Sequence, residues 1–159
     1  MAYGDKIVFD PRSRAPERWL SNSEHAPMRT LIHEQMVMVF TVEHAIQMAR
    51  CAWPDDAFAI LNVPTPEEAQ DYGRTVEVNP LWEEHKLTYM SRFLHDKFTQ
   101  HRGLHEYLIS TAGYTLEFYD GREHISYWGM GRIGGQNMLG RLLMQLRDQL
   151  CAQAQSQVS

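Results

Sequence analysis

Thr41-Val-Glu-His-Ala-Ile-Gln-Met-Ala-Arg-Cys-Ala-Trp-Pro54 is the stretch where the chain changes its hydrophobic period. Thr41 is a good N-cap residue, and Ala45, Ile46, Ala49 and Trp53 recur at helical spacing behind it. Pro54 stops the run, so the pattern predicts a helix over 42–53. Upstream, Lys6–Phe9, Met28–Ile32 and residues 35–40 read as short strands, with polar His33-Glu34 as the turn between the last two.

Downstream the reading is mainly helical. Thr65-Pro66-Glu67-Glu68 has an N-cap, a first-turn proline and an N3 acid in capping-box order, and Gly73 is a plausible stop. Asn79-Pro80 opens a longer helix in which Trp82, Met90, Phe93, Leu94 and Phe98 share a face, ending before Gly103. A further turn or two of helix is expected over 104–110. Residues 114–119 and 122–128 flank Asp120-Gly121, a strong hairpin signal because that pair tolerates positive φ. Leu139, Leu142, Leu143, Leu146 and Leu150 form the stripe of a final helix, and 153–159 reads as a frayed tail. The expected fold class is α+β, predominantly α-helical: a single domain over 1–159 with a few short antiparallel strands.

Composition narrows the function. At 159 residues the chain can bury a real core without disulfides or a structural metal. Its 15 Lys and Arg against 20 Asp and Glu give a formal charge of -5, which argues against holding nucleic acid by wholesale phosphate neutralisation. Cys51 and Cys151 form neither a disulfide framework nor a zinc set, which fits a reducing, cytoplasmic setting. No apolar leader and no long apolar run is visible, so neither export nor a membrane partner is expected.

Residues 125–140 concentrate glycine at 129, 131, 134, 135 and 140, just before an apolar helix. Such clustering implies that a ligand or another backbone comes close. Gly129 to Gly134 has the spacing of a dinucleotide fingerprint, but the second strand and acid which that fold needs have no chain left to occupy. The weaker expectation is a set of backbone N–H groups facing an anion at a helix N-terminus. His101 and His105 are four apart, yet Gly103 lies between them and no Glu stands in zincin position, so no metal site is assigned. No Gly-x-Ser-x-Gly motif or P-loop is present.

Glu43 lies one turn inside its helix. It is either an exposed first-turn acid favoured by the dipole or a carboxylate held in a cleft. Gln47 is one turn on and Arg50 close to two, which puts an acid, an amide and a cation along one helix edge, a row that could grip a sugar phosphate.

Several pieces stand together in one known order, and over about residues 19–150 the chain resembles the YbiA-like or NADAR superfamily, whose name refers to NAD and ADP-ribose. The matching pieces are Leu20-Ser21-Asn22, then Glu43-His44 with Gln47 and Arg50, then Trp82, Lys86 and Met90. Lys97-Phe98 with Gln100, Leu104 and Leu108 follow. Last come Tyr127-Trp128-Gly129, Gly131, Asn137, Leu139-Gly140, Leu143-Met144 and Arg147. The resemblance implies a mainly helical domain acting, without a cofactor, as an N-glycosidase on ribosyl compounds. Two substrate classes are implied: ADP-ribose attached to guanine of DNA or nucleotides, placed first, and the ribosylamino-pyrimidine phosphates of riboflavin biosynthesis.

Breaking an anomeric carbon–nitrogen bond builds positive charge on the ribose, so a nearby carboxylate stabilises the transition state and can activate water. Glu43 is assigned that role. Trp82 and Trp128 would stack on the base or ribose, or else pack in the core. Arg50 and Lys86 would meet phosphate oxygens, with Gln47 and Gly129 lining the same site. Asn22 and Asn137 would bind sugar hydroxyls or cap loops. The chain departs from the family pattern at Ile125, where the family often has Asp, and at Met130, where a second acid is sometimes found. Either Asp120 or Glu123 replaces the second carboxylate or it is absent, and a chain with one acid could also bind ADP-ribose-like ligands without turning them over.

Overall fold

The computed structural model describes residues 5–121 and 124–158. In chain order the elements are β1 (Lys6–Phe9), β2 (Met28–Ile32), β3 (Gln35–Val39), α1 (Val42–Arg50), α2 (Pro54–Ala59), α3 (Pro66–Gly73), α4 (Trp82–Gln100), α5 (Arg102–Ser110), β4 (Thr115–Phe118) and α6 (Met138–Val158). Helix dominates, as expected. The elements fall into two units, one formed by Asn22–His101 and the other by the flanking stretches, up to Ser21 and from Arg102 onward.

In the Asn22–His101 unit, β2 and β3 pair antiparallel from Met28↔Val39 to Ile32↔Gln35. Their turn is His33-Glu34, with φ of 48° and 65°. That left-handed pair matches the right-handed twist of the strands, and His33 Nε2 is anchored 3.1 Å from the Met48 carbonyl. Thr41 caps α1 as read, its Oγ1 accepting from His44 N at 3.0 Å. The helix nevertheless ends at Arg50, three residues short of the expected end. A residue before proline is pushed out of the helical region, and Trp53 is extended, with φ −116° and ψ 136°. Pro54 then occupies the first turn of α2 rather than closing α1. Thr65 caps α3, accepting from Glu68 N at 3.1 Å. α1 packs on α3 and α4, and α4 buries Trp82, Met90, Phe93, Leu94 and Phe98 on one face.

The flanking unit corrects two expectations. Among the described residues β4 forms no hairpin across Asp120-Gly121, and residues 122–123, where the expected second strand begins, lie outside them; β4 pairs in parallel with β1, from Lys6↔Thr115 to Phe9↔Phe118. The few strands are therefore not all antiparallel. Beyond Gly121 the described residues make only isolated bridges, Tyr119↔Met130, Ser126↔Gly135 and Gly131↔Gly134. The other edge of β4 is occupied by a side chain: Asn137 Oδ1 accepts from Phe118 N at 3.0 Å, and Asn137 Nδ2 donates to the Leu116 carbonyl at 2.9 Å. One amide thus imitates a neighbouring strand. The second correction is the C-terminus, where α6 runs on through the segment read as a tail, because its glutamines and alanines are good helix formers.

Asn137 itself sits at φ 50°, which Asn tolerates better than most residues. Replacing it by Ala strands two backbone groups at β4, so Asn137→Ala should lower the unfolding free energy by about 2–4 kcal/mol in urea titration. A loss below about 0.5 kcal/mol, the range of an ordinary surface change, would contradict the strand-mimic role.

Candidate active site

The Thr41 cap fixes where α1 begins and so places Glu43 in its first turn. The Glu43 backbone N–H donates to the Asn22 carbonyl at 3.0 Å, which ties Asn22 to the same turn. On the side-chain side, Glu43 Oε1 accepts from Gln47 Nε2 at 2.8 Å, and Gln47 Oε1 accepts from Arg50 Nη1 at 2.8 Å. A guanidinium can only donate, so Arg50 fixes which end of the Gln47 amide faces the carboxylate. Gln70 of α3 gives Glu43 a second side-chain hydrogen bond. Burial pushes the Glu43 carboxyl above its usual value; the bonds from Gln47 and Gln70, then the charges of Arg50 and His44, pull it back without cancelling the rise.

Around this group, Asn22 Nδ2 lies 3.5 Å from Met90 Sδ, while Asn22 Oδ1 is buried with no hydrogen-bond partner among the described residues. A buried acceptor without a donor costs about 1–3 kcal/mol, which a ligand hydroxyl would recover. Trp82 is only 7% exposed and stacks on Tyr89 with ring centroids 5.9 Å apart. Tyr89 stacks in turn on Phe93, so Trp82 is one end of an aromatic row along α4. Lys86 Nζ is held 2.5 Å from Glu83 Oε2. Lys97 is buried on α4, where desolvation lowers its pKa to about 7 against the opposing charge of Glu24.

The glycine-rich segment belongs to the flanking unit, and there the expected anion cradle is absent among the described residues. The N–H groups of Asn137, Met138 and Leu139 donate to the carbonyls of Gly129, Tyr127 and Trp128 at 3.0, 3.1 and 2.9 Å. Loop carbonyls thus satisfy the α6 N-terminus that was expected to face an anion. The close neighbours of the glycines are also backbone: a Cβ on Gly129 would lie 2.6 Å from the Phe118 carbonyl, and one on Gly135 2.8 Å from that of Ser126. Trp128 is half-buried and meets Tyr127 edge-on at 4.9 Å. Asn137 is taken up by β4, as above. Asp120 Oδ2 accepts from Ser126 Oγ at 2.5 Å, and Ser126 Oγ accepts from Gly129 N at 2.9 Å, so Asp120 orders the loop. Glu123 lies outside the described residues. Ile125 is exposed, and Met130 N donates to the Phe118 carbonyl.

A family model described as the NADAR domain matches residues 8–151. The chain belongs to the NADAR family. Among NADAR relatives, N-glycosidase YbiA of Escherichia coli is 37% identical over 114 residues, covering 69% of each chain. The chloroplastic riboflavin biosynthesis protein PYRR of Zea mays is 38% identical over 123 residues, and the match spans 69% of this chain but 19% of that longer protein. Its counterpart from Arabidopsis thaliana is 41% identical over 92 residues, 15% of its length. The solution structure of Escherichia coli YbiA superposes with a TM-score of 0.79 at 29% identity, covering 96% of this chain and 89% of that one. Among the described residues no helix is long and apolar enough to cross a membrane, and no His, Cys, Asp and Glu cluster could hold a metal ion.

Within this NADAR chain, the residues brought together are Asn22, Glu43, Gln47 and Arg50, along one end and edge of α1. Gln70 is an addition the sequence reading lacked, because it arrives from a different helix. Its only local signal is its spacing from Gly73, one turn on.

The raised Glu43 carboxyl carries a stability signature. A group that holds its proton more tightly when folded stabilises the fold below the unfolded value of 4.5, and that contribution is lost as pH climbs through the folded value. Glu43→Gln removes the ionisation, so its melting temperature relative to the parent should be higher at about pH 8 than at about pH 4. The opposite trend would show that the carboxylate is favoured, not penalised, by its surroundings.

Proposed function

We propose that this protein is an N-glycosidase that hydrolyses an N-ribosidic bond, with Glu43 as its working carboxylate. The observation that carries the proposal is Glu43 itself, a desolvated carboxyl at the first turn of α1, held by the amides of Gln47 and Gln70. In the reaction the bond from the anomeric carbon to nitrogen breaks with its electron pair leaving on nitrogen, and positive charge spreads over the ribose ring. An ionised Glu43 in a poorly hydrated setting offsets that charge far better than one in water. It then takes a proton from the water that adds to the anomeric carbon, and this proton passes from Glu43 through solvent to the departing nitrogen, which leaves the carboxylate ionised again. Asn22 Oδ1 supplies the acceptor for a ribose hydroxyl.

The names of the relatives support the activity and also order the substrates. The bacterial relatives are named as an N-glycosidase and the plant relatives as riboflavin biosynthesis proteins. This reading therefore puts ribosylamino-pyrimidine phosphates first and ADP-ribosylated guanine, which the sequence reading placed first, second. Both present the same scissile bond. The departures at Ile125 and Met130 favour one further reading, a module that binds such nucleotides without cleaving them.

Incubation with each substrate class, followed by chromatography for free ribose phosphate or ADP-ribose, tests the activity. Release from at least one class is expected; tight binding with intact ligand selects the non-hydrolytic module instead. Glu43→Gln should lose roughly a hundred-fold or more in kcat while ligand affinity stays within about ten-fold, and equal activity would remove Glu43 from the mechanism. Asn22→Ala should raise KM by about ten-fold through the lost hydroxyl contact.

A further inference from the structure

Gly73, the last residue of α3, is buried against the Glu43 group. A Cβ at this position would overlap Gln47 Oε1, and would lie 3.0 Å from Gln47 Cδ and 3.5 Å from Arg50 Nη1. A flexible amide could ordinarily swing away from a methyl group. Gln47 has little freedom to do so, because it is buried, its Nε2 is bound to Glu43 and its Oε1 to Arg50. Gln70 and Gly73 are three apart on α3, on one helix face. That face therefore provides a donor to Glu43 and, one turn later, the space that lets α1 bring its own donor in.

We propose that Gly73, Gln47 and Arg50 form a positioning relay, in which the gap at Gly73 seats the Gln47 amide between Arg50 and Glu43, so that all three act on the reaction through the Glu43 carboxylate. The proposal rests on the N-glycosidase reading for its catalytic consequence and on geometry alone for the relay. It also reassigns Arg50, which sequence reading gave to substrate phosphate, to orienting an amide. Glycine is a poor residue for a helix turn; here close approach of Gln47 accounts for it.

The direction of the effect follows from the hydrogen bonds. Gln47 and Arg50 each favour the ionised carboxyl, so losing their alignment makes Glu43 harder to ionise. The test compares the parent with Gly73→Ala by following the Glu43 carboxyl carbon in an NMR pH titration, the resonance being assigned by its loss in Glu43→Gln. The kcat–pH profile on whichever substrate is cleaved is measured in parallel. In Gly73→Ala the titration midpoint and the acid limb of kcat should move together to higher pH. At neutral pH kcat should fall roughly ten- to a hundred-fold, with KM within about two-fold.

Gln47→Met keeps Gly73 and removes both amide bonds; it should reproduce the upward shift and covers the case in which Gly73→Ala does not fold. An Arg50→Lys protein, which retains a donor for Gln47, should titrate nearer the parent than Arg50→Met. A Glu43 midpoint that stays put in Gly73→Ala and in Gln47→Met, with only a lower melting temperature, would overturn the relay and leave Gly73 a packing residue. A shifted midpoint in a chain that cleaves neither substrate class would retain the relay and overturn the glycosidase reading.

Discussion

A carboxyl group that loses its water must either keep its proton or be given other donors, and the helical part of the Asn22–His101 unit meets this demand at Glu43 by the second route in part. The Thr41 cap sets the first residue of α1 and hence the side on which Glu43 emerges. α3 then lies close enough to supply Gln70, and the missing side chain of Gly73 makes room for Gln47. The result is intermediate, a carboxyl raised by burial yet partly pulled back by amides and a guanidinium. A group in that condition is poised to accept a proton, which is what activating a water molecule requires.

The flanking unit follows a different logic. Its glycines permit backbone to approach backbone: the loop from Tyr127 to Gly129 caps α6 with its carbonyls, while Asn137 closes the edge of β4 with an amide. Asp120 and Ser126 pin the same loop from its other end. The close approach that the glycine-rich composition implied is made here by backbone.

Period and capping made most elements legible. Thr41 and Thr65 capped the helices they were expected to cap, and 28–32 formed the short strand read there. What was not legible depended on partners remote in sequence. β4 carries no mark of whether it pairs with β1, more than a hundred residues earlier, or with the next segment; Asp120-Gly121 suggested the nearer partner. Pro54 ends a helix or begins one according to the conformation of Trp53, and here it begins one. The row of Glu43, Gln47 and Arg50 could be read because all three share α1. Gln70 and Gly73 could not, since α3 meets α1 only in the folded chain. The commitment of Asn137 to β4 was hidden for the same reason, and glycine clustering could not distinguish an approaching ligand from approaching backbone.

In the proposed reaction positive charge develops on a ribose ring and is met by the Glu43 carboxylate as the bond to nitrogen breaks. Cleavage of a substrate deuterated at the anomeric carbon measures that charge most directly, through the ratio of rates for the unlabelled and labelled compounds. A normal secondary effect is expected, with the unlabelled substrate cleaved faster, because the anomeric carbon approaches planarity in the transition state. Equal rates, with bond cleavage independently shown to limit turnover, would contradict it.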